Sequence, residues 1–175
     1  MAAPRDFGVT KEDNWLPALV RLEDFAGDFD RFYQYELFCQ DWIVERPAFL
    51  GRPMGLKKHP VLNGKEYTFY HITHDGNIEA ERVPNLRRME RIRWPRAFVE
   101  AAAAGTLNTR RTQRHTKAGL KDRILLAIED YSYVVVLEDR GAFVLLWTAF
   151  TAEHHHQRNK LRREHDRYRQ TETAP

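Results

Sequence analysis

The chain has 175 residues, enough for one domain with a real core, and its 42% hydrophobic and 12% aromatic content argues for a folded globule over disorder. No apolar run reaches bilayer-spanning length, and the N-terminus lacks the charged-then-apolar pattern of a secretory signal; with Cys39 as the single cysteine, a cytoplasmic protein without membrane partner or internal disulfide is expected. The net charge of +3 hides a segregation: residues 57–123 carry 15 basic and 7 acidic side chains, net +8, against −4 in residues 1–56 and −4 in residues 124–153, which points to an anionic ligand on the basic middle block.

Residues 1–14 read as a loose polar terminus, residues 15–169 as a single domain, and residues 170–175 as a loose end. From Trp15 to Trp42 the spacing is helical, with Leu19, Leu22, Phe25, Phe29, Phe32, Tyr33 and Leu37 on apolar stripes and Gly27 as a break. Cys39 in this stretch reads as a core residue, not a nucleophile. Pro47, Gly51, Pro53 and Gly55 mark an irregular connector, and Asn63-Gly64 a turn. Tyr67 to Thr73 carries aromatics on alternate positions and predicts a strand, closed by an Asp75-Gly76 turn.

Asn85 caps a short helix to Ile92, with Leu86, Met89 and Ile92 on one side and Arg87 and Arg91 on another. Pro95 ends or kinks it, and a second helix runs from Ala97 to Ala104, stopped by Gly105. Residues 106–119 are polar and predict a mobile basic loop. Three strand-like runs follow, Ile124–Glu129, Tyr133–Glu138 and Phe143–Thr151, separated by short turns, which means an antiparallel meander. A polar helix runs from His154 to about Arg169. The expected fold is α+β: N-terminal helices packed on a roughly four-stranded antiparallel sheet, residues 67–73 supplying the fourth strand, with a C-terminal helix.

Two segments carry a family resemblance. The first is Lys57-Lys58-His59-Pro60 followed by Gly64-Lys65-Glu66, Thr68-Phe69-Tyr70-His71 and the run Arg82-Val83-Pro84-Asn85-Leu86-Arg87-Arg88-Met89-Glu90-Arg91-Ile92-Arg93-Trp94. The second is Tyr133–Glu138 with Leu145-Leu146-Trp147-Thr148-Ala149-Phe150. Together they resemble small phage- and mobile-element-borne bacterial proteins near the barnase/EndoU/colicin/RelE-like ribonuclease superfamily, over roughly residues 25–168. The resemblance implies helices before a four-stranded antiparallel sheet and RNA cleavage as the reaction class. A short, unmistakable catalytic signature is absent, so it does not assign the site.

The residues themselves point to metal-free phosphodiester chemistry. Imidazole moves protons near neutral pH, and guanidinium holds phosphate and stabilises charge that grows in the transition state. His71 is the first acid/base candidate and His59 the second. Arg88 and Arg91 are the first phosphate holders, with Thr148 as a hydroxyl donor from the last strand. Lys57, Lys58, Arg82, Arg87, Arg110, Arg111 and Arg114 complete an expected nucleic-acid surface. Each has a plainer alternative: a core histidine, local ion pairs, a strand-forming threonine. His154-His155-His156 is not a designed metal site, because successive side chains on a helix point about 100° apart. No phosphate-binding glycine loop, paired zinc-ligand motif or Gly-x-Ser-x-Gly elbow is present. The expectation is a metal-independent, cofactor-free endoribonuclease of toxin or phage-conflict type that yields a 2′,3′-cyclic phosphate, with RNA and an antitoxin or inhibitor protein as partners. The rivals are a non-catalytic nucleic-acid- or protein-binding module and a structural phage accessory protein.

Overall fold

The structure, a computed structural model, describes residues 15–32 and 35–173, residues 31–32 by backbone only. The expectations for residues 1–14, for Tyr33, for the Phe32 side chain and for the last two residues lie outside the described residues. A 3-10 turn at Leu22–Phe25 is followed by α1 (Phe29–Phe32) and α2 (Tyr35–Cys39), which runs into a π turn at Gln40–Val44. The expected break falls at Ala26 and Gly27, with φ of 54° and 77°. Then come β1 (Ala48–Phe49), β2 (Arg52–Leu56), α3 (Tyr67–Thr73), β3 (His74–Asp75), β4 (Val83–Pro84), α4 (Leu86–Met89) and α5 (Trp94–Ala101). The chain finishes with β5 (Asn108–Thr116), β6 (Gly119–Ala127), β7 (Tyr133–Asp139), β8 (Val144–Thr151) and α6 (His155–Glu172).

The class is α+β as expected, but the sheet is larger: six strands in the order β1-β2-β8-β7-β6-β5, with β3 and β4 as a separate pair. Strands β5 to β8 form the antiparallel meander, whereas β2 lies parallel to β8, Gly55 opposite Leu145. One sheet face carries the main core. Ile124, Leu126, Tyr133, Val135, Leu137, Val144, Leu146 and Ala149 pack there against Phe38, Trp42, Phe69, Ile72, Trp94 and Phe98. Edge-to-face ring pairs lock the layers, at 5.3 Å for Phe38–Phe69 and 5.1 Å for Trp94–Tyr133. The opposite face is half covered by α6, whose Leu161 packs on Ala127, Tyr131 and Val134. The Tyr131 hydroxyl and His165 Nδ1 meet at 2.8 Å beneath it.

Two expected elements are corrected. Tyr67–Thr73 is the helix α3, not a strand. Six of its seven residues are buried and His71 alone is partly exposed, so it faces protein on nearly every side. An all-round buried segment carries no 3.6-residue signature, and its β-branched and aromatic composition is overridden by packing. Its first amide groups are satisfied by the chain leaving β2: Tyr67 N donates to Lys58 O and Thr68 N to Lys57 O. Thr68 Oγ1 accepts from Lys57 N at 2.9 Å and lies 3.2 Å from Leu146 O. The strand that flanks β8 is β2.

Residues 106–119 are not a mobile loop. Most of them form β5, paired in register with β6 from Asn108–Ala127 to Thr116–Gly119. The run Thr109-Arg-Arg-Thr-Gln-Arg-His-Thr116 shows no apolar alternation because it is an edge strand, mostly exposed. Smaller adjustments concern Pro95, which sits in the first turn of α5 and starts that helix, and α6, which runs on to Glu172. Asn85 caps α4 as expected, its side chain accepting from Arg88 N at 3.1 Å.

Candidate nucleic-acid interface and proton-transfer cluster

Strand β8 builds the site through an irregularity. Val136 faces Thr148 and Leu137 faces Leu146, so Trp147 is an extra residue, a β-bulge. With simple alternation Trp147 and Thr148 would point to opposite faces. The bulge puts both, with Phe150, on the face away from the main core. There they join Leu125 and Val136 as the floor of a cleft of 630 Å³. Arg110, Thr112 and Arg114 of β5 form one wall, and His156, Lys160 and Glu164 of α6 the other.

Arg123 lines this cleft and is only 4% exposed. Its guanidinium stacks on Trp147 at 3.7 Å. Nη2 stands 2.6 Å from Glu138, itself 1% exposed, while Nε and Nη1 have no hydrogen-bond partner. The ion pair is close but poorly aligned, so a buried cation keeps unspent donors at the edge of a basic, aromatic cleft. Arg140 approaches the other Glu138 oxygen.

A second cluster adjoins the cleft through Trp147. Tyr67 and His71, one turn apart on α3, stack at 3.8 Å. Lys57 Nζ lies 3.5 Å above the Tyr67 ring and 5.0 Å from Trp147. His71 Nε2 is 2.9 Å from Glu79, and Nδ1 is 3.4 Å from Arg82 Nη2; Arg82 Nε also donates to Glu79 at 3.2 Å. Burial, with the Arg82 charge, outweighs the pull of Glu79 and lowers the His71 pKa to about 4. The imidazole is therefore neutral near pH 7, donating Nε2–H to Glu79 and accepting from Arg82 at Nδ1. The same bonds hold Glu79 below the ordinary carboxylate range. Burial also lowers Lys57.

Five of the expected residues thus meet here: Lys57, His71, Arg82, Arg88 and Thr148. Two of them serve the backbone. Arg88 Nη1 donates to His71 O at 2.9 Å and Ala149 O at 2.8 Å, and Nε pairs with Asp75 at 2.7 Å. Thr148 Oγ1 donates to the same His71 carbonyl at 2.7 Å. These groups tie α3 to β8. Arg91 stands at a different place. It is packed over Trp94 at 4.9 Å and donates to Arg87 O, beside a cavity of only 20 Å³, room for about one water. His59 and Lys58 are exposed on the loop before α3, and Arg87 sits near Glu153 at 3.5 Å. Arg110 pairs with Glu164, and Arg111 with Asp139 at 3.0 Å, leaving Arg114 as the expected β5 arginine that faces the cleft without an ion pair among the described residues.

Tyr67, Arg123 and Trp147 were not expected at the site. Arg123 and Leu125 share a strand face, a pattern the alternation of β6 carries. The bulge at Trp147 and the fold-back of Glu79 onto α3 leave no local signal. Among the described residues no three His, Cys, Asp or Glu side chains gather as a metal site, and no helix is long and apolar enough to cross a membrane. No known protein family, curated protein or solved structure matches the chain.

Proposed function

We propose that this chain is a metal-independent endoribonuclease that works at the His71–Glu79–Arg82 cluster and holds RNA in the adjoining cleft. What supports the reading most is convergence. Segments 57, 67–71, 79–82, 123 and 147 bring an oriented imidazole, a carboxylate, two guanidinium groups and an ammonium to one aromatic-lined place. Glu79 fixes the His71 tautomer, as a carboxylate does for a general-base histidine. The bond from Arg82 to Nδ1 is long, so an arriving phosphate draws the guanidinium away. That frees Nδ1 and removes a lesser cause of its lowered pKa, burial being the largest. Nδ1 then takes the ribose 2′-hydroxyl proton, and the 2′-oxygen bonds to phosphorus. Arg82 stabilises the added charge, the bond to the 5′-oxygen breaks, and Lys57 protonates the leaving oxygen. The products are a 2′,3′-cyclic phosphate and a 5′-hydroxyl. Incubation with total RNA in excess EDTA, followed by end-group analysis, tests this; intact RNA after long incubation contradicts it.

One observation favours a second reading. Both ring nitrogens of His71 are engaged in the free protein, and Arg88 and Thr148 are committed to its carbonyl. A non-catalytic module that binds single-stranded RNA on Trp147, Phe150 and the surrounding cations needs none of this to move. Tight binding without cleavage distinguishes it.

A further inference from the structure

Strand β7 pairs with β6 only as far as Asp122, opposite Asp139, whereas β5 and β6 continue to their turn. Residues 114–121 therefore project from the sheet as a two-stranded arm about 10 Å long. The arm holds Arg114, His115, Lys117 and Lys121 and no acidic residue. Directly opposed residues of an antiparallel pair share a face. Arg110, Thr112 and Arg114 line the cleft, so their partners Leu125, Arg123 and Lys121 lie on that face too. The cations Arg123, Arg114 and Lys121 consequently form a row from the cleft floor onto the arm, with Lys117 at the turn. Arg114 and Lys121 stand directly opposite each other, a like-charge pair that destabilises a hairpin. Among the described residues, no ion pair engages Arg114, Lys117 or Lys121.

We propose that this arm is a track for the phosphate backbone of RNA flanking the nucleotides held in the cleft. Resting on the ribonuclease or RNA-binding reading above, it adds a requirement for substrate length: the chain prefers RNA that extends beyond the cleft. A bound polyanion removes the Arg114–Lys121 repulsion, which gives the unneutralised pair a purpose that stability does not. Same-face side chains on a strand recur every ~7 Å, a spacing commensurate with successive phosphates of an extended strand.

The test uses fluorescence anisotropy with 2′-O-methyl oligouridylates of about 4 and about 16 nucleotides, which cannot be cleaved through a 2′-hydroxyl. Two lost phosphate contacts flatten the salt dependence of log affinity by about 1.4 and weaken binding on the order of tenfold near 0.15 M salt. Lys117→Ala combined with Lys121→Ala should do this to the long oligomer and leave the short one unchanged. Lys121→Glu should raise the melting temperature by pairing with Arg114 and still weaken the long oligomer, which separates binding from folding. Unchanged affinity for the long oligomer overturns the track, as does equal weakening of both lengths. A wild-type chain that binds neither oligomer overturns the RNA reading itself.

Discussion

Arg88→Ala should cost most of the stability of the α3–β8 junction, not just a step in catalysis. The side chain is 17% exposed and its guanidinium bridges three elements: His71 O on α3, Ala149 O on β8 and Asp75 on β3. Two hydrogen bonds from a charged donor to backbone carbonyls are worth about 1.5–3 kcal/mol each. The Asp75 limb is 47% exposed on the acid side and adds at most about 1 kcal/mol. Thr148 still donates to His71 O, which softens the loss there. The net expectation is about 3–5 kcal/mol. With a urea m-value near 2 kcal/mol/M, the midpoint falls by about 2 M, followed by tryptophan fluorescence. Thr148→Val alone should cost about 1 kcal/mol, and the double variant should exceed the sum because the two donors share one acceptor. A midpoint shift below about 0.5 M for Arg88→Ala, with RNA cleavage abolished, would refute the structural assignment and return Arg88 to the catalytic set.

Stability should fall as pH drops from about 6.5 to about 4. Burial holds both His71 and His74 at about 4, so in that window the unfolded chain binds protons that the folded chain refuses. The loss reaches at most about 3 kcal/mol per histidine, and a flat stability profile over this range would contradict it. Glu138→Ala should destabilise by about 3–5 kcal/mol in a denaturant melt, because it strands the Arg123 cation in a buried place; a change under 1 kcal/mol would mean that Arg123 finds solvent. Phe150→Leu keeps an apolar floor and removes a stacking face, and should weaken single-stranded RNA binding by about 1–3 kcal/mol. Unaltered affinity in a titration would move the bases off Phe150.

The three strands of residues 124–151 were legible because short turns and β-branched runs alternate there, and Asn85 announced its helix by capping chemistry. Asn63-Gly64 likewise shows as a turn, both residues at positive φ. Tyr67–Thr73 misled because composition favours a strand while burial on nearly every side allows a helix. Thr109–Thr116 misled because an edge strand with wet faces has no apolar alternation to display. At the site, His71 and Arg82 were legible as chemistry, and their neighbourhood was not. Glu79 reaches His71 by a fold-back through β3 and the following turn, and Trp147 reaches the cleft by a bulge that no spacing reveals. The arginines Arg82, Arg88 and Arg91 look alike in sequence and are about equally covered, and only their partners separate them: the Glu79 carboxylate and the His71 ring for Arg82, backbone carbonyls for Arg88 and Arg91.

The most direct measurement is cleavage of an end-labelled RNA by the purified chain in excess EDTA, run beside the same RNA with a single 2′-deoxy substitution at the cut position. Cleavage of the first, resistance of the second at that position, a 2′,3′-cyclic phosphate end, and loss of cleavage in a folded His71→Ala variant are the predicted results. Cleavage that EDTA abolishes, that the 2′-deoxy substitution leaves unchanged, or that His71→Ala leaves undiminished would contradict the account, as would RNA that stays intact throughout.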